Sequence, residues 1–128
     1  WGWAMGLLNP IAINRGRPRE ALKQALDEGR DRLDRGLFVL FFPEGTRVEA
    51  GQIKSYSRSG FELALRSNVP VLPIAHNSGD CWPAHKFLKY PGTIFLTIGK
   101  PRKVVDAKAS AHEVESWTRA SLKRSLNI

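Results

Sequence analysis

Apolar positions concentrate in one unbroken run, Phe38-Val39-Leu40-Phe41-Phe42, which follows Gly36-Leu37 and stops at Pro43. A short apolar run of β-branched and aromatic residues predicts a strand buried on both faces. Proline brings no N–H to a ladder, so the backbone leaves the sheet at Pro43. Glu44, Gly45, Thr46 and Arg47 then fall on the loop beyond the strand's carboxyl end. In α/β sheets ligands bind at that edge.

The flanking pattern supplies the other elements. Asn9-Pro10 turns the chain into Ile11-Ala12-Ile13-Asn14-Arg15, whose alternating Ile11 and Ile13 predict a short strand with Arg15 at its carboxyl end. Pro18 opens a helix with Leu22, Ala25, Leu26, Gly29 and Leu33 on one stripe, and Gly36 ends it. Strand, helix and strand in that order predict a parallel crossover pair. A polar loop over 48–59 leads to a short buried helix with Phe61, Leu63, Ala64 and Leu65. Val69 to Ala75 is apolar but broken by Pro70 and Pro73, which suits an edge or irregular strand. Thr93 to Ile98 predicts another strand, and about Ala109 to Leu126 a last helix that turns Val114, Trp117, Leu122 and Leu126 inward. The expected class is α/β, a mixed, mostly parallel sheet flanked by helices.

A chain of 128 residues, 42% hydrophobic, is one domain at most, with enough apolar residues for a core. Lys plus Arg number 20 against 12 acids, a formal charge of +8, which directs attention to anionic partners: nucleic acid, lipid headgroups or a phosphorylated substrate. The excess is local. From Cys81 to Lys108 six basic residues face one acid, Asp106. Phe38, Phe41, Phe42 and Phe95 lie in apolar runs and do not alternate with basic residues, which argues against a nucleic-acid module. Cys81 is the only cysteine, so the chain forms no internal disulfide and no cysteine metal cluster. No apolar run reaches the length of a transmembrane helix.

The loop 44–47 has the chemistry of an anion site. Gly45 lets backbone approach a ligand, Thr46 offers a hydroxyl and an N–H, and Arg47 presents a fork that suits phosphate oxygens. Glu44 is expected to orient Arg47 or another donor. Taken alone, the four residues also fit a solvent-exposed turn with a surface salt bridge. His76 and Asp80 stand four apart, but the intervening Asn-Ser-Gly is turn-like and no third ligand is at hand for a metal.

The string Phe42-Pro43-Glu44-Gly45-Thr46-Arg47 resembles the third conserved block of the glycerolipid acyltransferases, specifically the 1-acyl-sn-glycerol-3-phosphate (lysophosphatidate) acyltransferases. Ile11 to Arg15 is similar to their second block and Val69-Pro70-Val71-Leu72-Pro73-Ile74 to their fourth. The resemblance implies the glycerolipid-acyltransferase fold and an acceptor-phosphate site made of Arg15, Glu44, Gly45, Thr46 and Arg47. Lys54 and Tyr56 are weaker candidates beside it. It further implies acyl transfer from an acyl-CoA or acyl carrier protein thioester to lysophosphatidate, with no metal and no other cofactor. The implied setting is a membrane surface, the cytoplasmic face of the inner membrane.

The sequence departs from the family pattern in one respect. The residues five after His76, His85 and His112 are Cys81, Tyr90 and Trp117, so the catalytic H-x-x-x-x-D block is absent from these residues. With Trp1 in place of a starting methionine, residues 1–128 are expected to be the carboxyl-terminal part of a single acyltransferase domain, incomplete at the amino end, with the catalytic base upstream. A non-catalytic lipid- or phosphate-binding homologue is the alternative.

Overall fold

Proline and glycine placement explains where the first helix begins and ends. In the computed structural model, which describes residues 6–12 and 16–126, α1 spans Pro18–Asp34, and Pro18 takes a first-turn position that needs no N–H. It closes with paired bonds: Gly36 N–H donates to the Leu33 carbonyl and Leu37 N–H to the Arg32 carbonyl, both at 2.9 Å. That closure requires a left-handed residue, and Gly36 provides it at φ +74°. The Arg32 guanidinium donates to the Asn9 side-chain oxygen at 3.2 Å and pairs with Glu28 at 3.2 Å, tying the Asn9-Pro10 turn to the helix. The buried face runs through Ala21 and Gly29, whereas the expected Leu22 is 43% exposed. Small residues line that face, and Arg32 with Glu28 occupies its flank.

Two expectations fail in this region. The run 38–42 is bonded into no ladder among the described residues, and only Val39 and Phe41 are half-buried while Phe38, Leu40 and Phe42 are exposed. Burial therefore alternates with the period of a backbone that has one covered side. An apolar run marks residues able to bury, but strand pairing needs a second backbone alongside. Ile11-Ala12 likewise forms no strand, and Ile13, Asn14 and Arg15 lie outside the described residues, so the crossover pair is not present as a ladder among the described residues.

The chain divides into two compact units, Trp1–Leu40 and Phe41–Ile128. In the second, α2 (Ser59–Ser67) buries Phe61 to 1% exposure beside Leu63 and Ala64. It ends as α1 does, here with Asn68 in the left-handed region at φ 52° and Val69 N–H donating to the Ala64 carbonyl. β1 (Ile74–His76) pairs antiparallel with β2 (Leu96–Ile98) in the register Ile74 to Ile98, and an isolated bridge joins Val71 to Arg102. Residues 69–75 thus form the irregular strand expected of two prolines, and the strand expected over 93–98 shortens to its last three residues. In place of the expected turn after His76, one helical turn, α3 (Ser78–Cys81), carries the chain on.

α4 (Ala107–Leu126) packs against α2 and β1. Its buried stripe is Ala107, Ala111, Val114, Thr118 and Ser121, at spacings of four and three. Trp117 and Leu122 are only half-buried, and the Leu126 side chain lies outside the described residues. Thr118 enters the stripe because its hydroxyl donates to the Val114 carbonyl at 2.9 Å, which removes the cost of burying it. The core joins Phe61, Ala64, Val104, Ala107, Ala111 and Val114, with Phe41, Tyr56, Val69 and Val71 against it.

Candidate functional site

The loop after Phe42 begins with a four-residue turn. Gly45 N–H donates to the Phe42 carbonyl at 3.0 Å, with Pro43 second and Gly45 fourth, the placement that turn chemistry favours. Gly45 stands at φ +68° with nothing within 4 Å of where a Cβ would be. Its glycine is therefore required by backbone conformation, not by crowding. Gly45, Thr46 and Arg47 are all exposed, and Arg47 makes no hydrogen bond or ion pair among the described residues. Thr46 thus offers an N–H and a hydroxyl, and Arg47 a guanidinium fork, to solvent.

The approach to this turn is fixed from below. Phe41 packs edge-on against Phe61, ring centroids 5.6 Å apart and planes at 88°. Farther on, Ser57 N–H donates to the Pro43 carbonyl at 2.8 Å, so the loop returns to its own start. The returning limb is held by α4. Tyr56 N–H donates to Glu115 Oε2 at 3.1 Å, and Arg119 Nη2 donates to the Ile53 carbonyl at 2.9 Å. Arg119 also binds Glu115 Oε1, at 2.9 Å through the same Nη2.

The charges around Glu44 follow from this arrangement. Burial raises its carboxyl above the ordinary value, the nearby Arg119 opposes that, and Glu115 adds to it. Burial likewise pushes the Tyr56 phenol up, with the Thr118 hydroxyl opposing and the Glu44 carboxylate reinforcing. Glu115 is held below its ordinary value chiefly by its hydrogen bond with Arg119. The cation whose field reaches Glu44 is thus Arg119, and the expected partnership of Glu44 with Arg47 is not formed among the described residues.

Of the sequence-derived candidates, the structure brings together Glu44, Gly45, Thr46 and Arg47, with Tyr56 beneath them and Lys54 exposed. Arg15 lies outside the described residues. His76 Nδ1 meets the Ser78 hydroxyl at 2.8 Å, and Asp80 accepts from the Asn77 amide at 3.1 Å, so the two are not a dyad. Among the described residues no three His, Cys, Asp or Glu side chains converge on a metal position. An open groove of about 620 Å³, lined in part by Lys100, Arg102, Trp117 and Arg124, includes none of the residues of the 44–47 loop. Glu115 and Arg119 were not legible as neighbours of this loop. Locally they are one more acid and base four apart on a helix, like Glu62 and Arg66.

The Acyltransferase family model matches residues 1–77, which include the whole turn and all of β1. The chain belongs to that family. It is 45% identical over 130 residues to the 1-acyl-sn-glycerol-3-phosphate acyltransferase of Pseudomonas aeruginosa, covering 95% of this chain and 51% of that protein. To the chloroplastic 1-acyl-sn-glycerol-3-phosphate acyltransferase of Arabidopsis thaliana it is 36% identical over 117 residues, 90% of this chain and 33% of the other. Among solved structures, the 1-acyl-sn-glycerophosphate acyltransferase PlsC of Thermotoga maritima superposes with a TM-score of 0.78 at 24% identity, covering 96% of this chain and 50% of that one. The acyltransferase fold expected from the loop and its flanking blocks is therefore present. The chain spans about half the length of the bacterial proteins it matches. All of α4, including Glu115 and Arg119, lies beyond the residues that the family model matches.

Proposed function

We propose that this chain carries the acceptor-phosphate site of a 1-acyl-sn-glycerol-3-phosphate acyltransferase, the enzyme that converts lysophosphatidate to phosphatidate. The observation that carries the reading is the turn itself: Gly45 at positive φ, with Thr46 and Arg47 exposed beyond it and Arg47 uncommitted among the described residues. The bacterial relative's name supplies the substrate class. Arg47 and the Thr46 N–H and hydroxyl hold the acceptor phosphate, Gly45 gives the turn its positive φ, Arg15 adds a second cation, and Glu44 keeps the turn in place from its half-buried position. Binding the phosphate fixes the acceptor's free hydroxyl against the thioester, a contribution of orientation.

In the transfer step a general base takes the hydroxyl proton as the hydroxyl oxygen attacks the thioester carbonyl, and the thiolate leaves. None of His76, His85 and His112 has the acid at the family spacing, so the base comes from outside these 128 residues. The donor is a thioester of CoA or of acyl carrier protein, and no metal takes part. A membrane surface, the cytoplasmic face of the inner membrane, is the setting. That part of the reading is supported by the exposed Trp82, Phe87, Leu88 and Tyr90 beside Lys86 and Lys89. It is also supported by the absence of any acid from residue 81 to residue 105. Aromatic tips and lysines side by side suit a headgroup layer.

The test is Arg47→Ala in the full-length protein. A charged hydrogen bond is worth roughly 1.5–3 kcal/mol, so acceptor kcat/KM should fall about 10- to 150-fold, with Arg47→Lys recovering part of it. Unchanged acceptor kinetics in a folded Arg47→Ala protein would remove Arg47 from the site. Absence of acyl transfer by the wild-type protein, with lysophosphatidate binding retained, would favour a non-catalytic binding homologue.

A further inference from the structure

The loop that follows Pro43 is clamped at three points. Its end returns to its beginning through Ser57 N–H and the Pro43 carbonyl, 2.8 Å apart. The other two points, the Ile53 carbonyl and the Tyr56 N–H, are both held by one ion pair on α4. That pair is separated from them by 66 and 59 residues of chain. Glu115 is well covered, its side chain 16% exposed, and both its carboxylate oxygens are used: Oε1 by Arg119 and Oε2 by Tyr56. Arg119 divides its fork between Glu115 and the loop carbonyl. A lysine's single ammonium lacks the planar fork needed to reach both with the same geometry.

We propose that Glu115 and Arg119 are positioning residues for the phosphate loop: by fixing the limb 53–57, and through Ser57 the Pro43 carbonyl, they set where Arg47 meets the acceptor. The proposal rests on the reading of residues 44–47 as an acceptor-phosphate site. Neither residue touches the acceptor. Their effect passes through the backbone of the loop, and through the field that Arg119 places on the half-buried Glu44. Other ion pairs of the same i,i+4 type, such as Glu62 with Arg66 at 2.8 Å on α2, hold no backbone group of this loop. Arg66 therefore provides an internal control.

The experiment uses the full-length protein with Arg119→Gln, Arg119→Lys, Glu115→Gln and the control Arg66→Gln. Two readouts are taken: amide hydrogen exchange over 52–57, and steady-state kinetics in which acceptor and donor thioester are varied separately. Exchange at Tyr56 should accelerate about tenfold or more in Arg119→Gln and Glu115→Gln, since a charge-assisted clamp is lost. Acceptor KM should rise about tenfold with donor KM within about twofold of wild type, and Arg119→Lys should lie between the two. Arg66→Gln should change neither. A merely structural role would lower stability and raise both KM values together, or neither. Unchanged exchange at 52–57 overturns the clamp, and faster exchange with unchanged acceptor KM overturns its positioning role. A wild-type protein that transfers no acyl group and does not bind lysophosphatidate would instead overturn the functional reading, while the exchange readout still decides whether α4 holds the loop.

Discussion

Gly60→Ala tests how the segment before the 44–47 loop is held. Gly60 is the second residue of α2, and by helix propensity alone alanine should stabilise the protein by up to about 1 kcal/mol. The structure predicts the opposite sign. A Cβ at Gly60 would fall on the Phe41 ring, against its Cε2, Cζ and Cδ2 atoms, far inside the roughly 3.5–4.0 Å of an ordinary carbon contact. The ring has little room to yield, because its other side is set by the edge-on contact with Phe61, which is 1% exposed. Overpacking of this kind costs about 1–3 kcal/mol, and a weakened aromatic pair adds about 0.5–1.5 kcal/mol. Set against the propensity gain, Gly60→Ala should destabilise by about 0.5–3.5 kcal/mol. In a Phe41→Ala background the obstacle is gone, and the same substitution should be neutral or stabilising by up to about 1 kcal/mol. Urea unfolding of the four proteins in this cycle gives the coupling directly. An effect of Gly60→Ala equal in both backgrounds to within about 0.5 kcal/mol would show that Phe41 does not pack over α2.

Four further outcomes are expected. Phe61→Ala should cost about 3–5 kcal/mol by urea unfolding, since it empties the centre of the core. Gly45→Ala, at φ +68° with open space around it, should lose about 1–2 kcal/mol through backbone strain alone, while Gly45→Asn, which tolerates that conformation better, should lose less. The two carboxylates should respond to pH in opposite senses. Glu44 is raised above its ordinary 4.5 by burial, so its contribution falls as pH rises from that value through its folded one, and Glu44→Gln should gain on wild type near neutrality. Glu115 is lowered by its bond to Arg119, so its contribution is present above 4.5 and lost as pH falls through its folded value. Glu115→Gln should then lose stability near neutrality and less in acid; urea midpoints at about pH 7 and about pH 4 check both, and equal trends refute the assignment. Finally, vesicles rich in anionic lipid should bind the protein more tightly than neutral ones. The gain should be about 1 kcal/mol for each of Lys86, Lys100 and Lys103, fading with salt, and a lysine-to-alanine series by sedimentation measures it. Arg102, already paired with Glu113, and Lys89, 4.3 Å over the Trp82 ring, should contribute less.

What the sequence makes legible here depends on whether a residue's role is enforced locally. Pro43 and Gly45 are legible because no other residues have their backbone chemistry, and the structure places the second position of a turn and a positive φ where they stand. Gly36 is legible for the same reason, as the end of α1. The run 38–42 is apolar on both sides, and hydrophobicity cannot say that Val39 and Phe41 find cover while Phe38, Leu40 and Phe42 do not. Periodicity misjudges α4 in the converse way. It favours Trp117 and Leu122 for the inner face and misses Thr118, whose hydroxyl is satisfied one turn back in its own helix.

The loop that follows Pro43 combines both cases. Its reactive groups are contiguous, so Glu44 to Arg47 can be read as a unit, but the groups that hold it are not. Tyr56 N–H and the Ile53 carbonyl are backbone atoms, invisible as side-chain pattern, and their partners Glu115 and Arg119 lie far along the chain on a helix already explained as amphipathic. A motif reports the residues that meet a ligand, because that chemistry restricts residue type at each position. Any well-placed carboxylate and guanidinium can hold backbone, so the restraint leaves no local signature. It becomes visible only when the fold brings α4 beside the loop, and that is why the Glu115 and Arg119 substitutions test the structure rather than the motif.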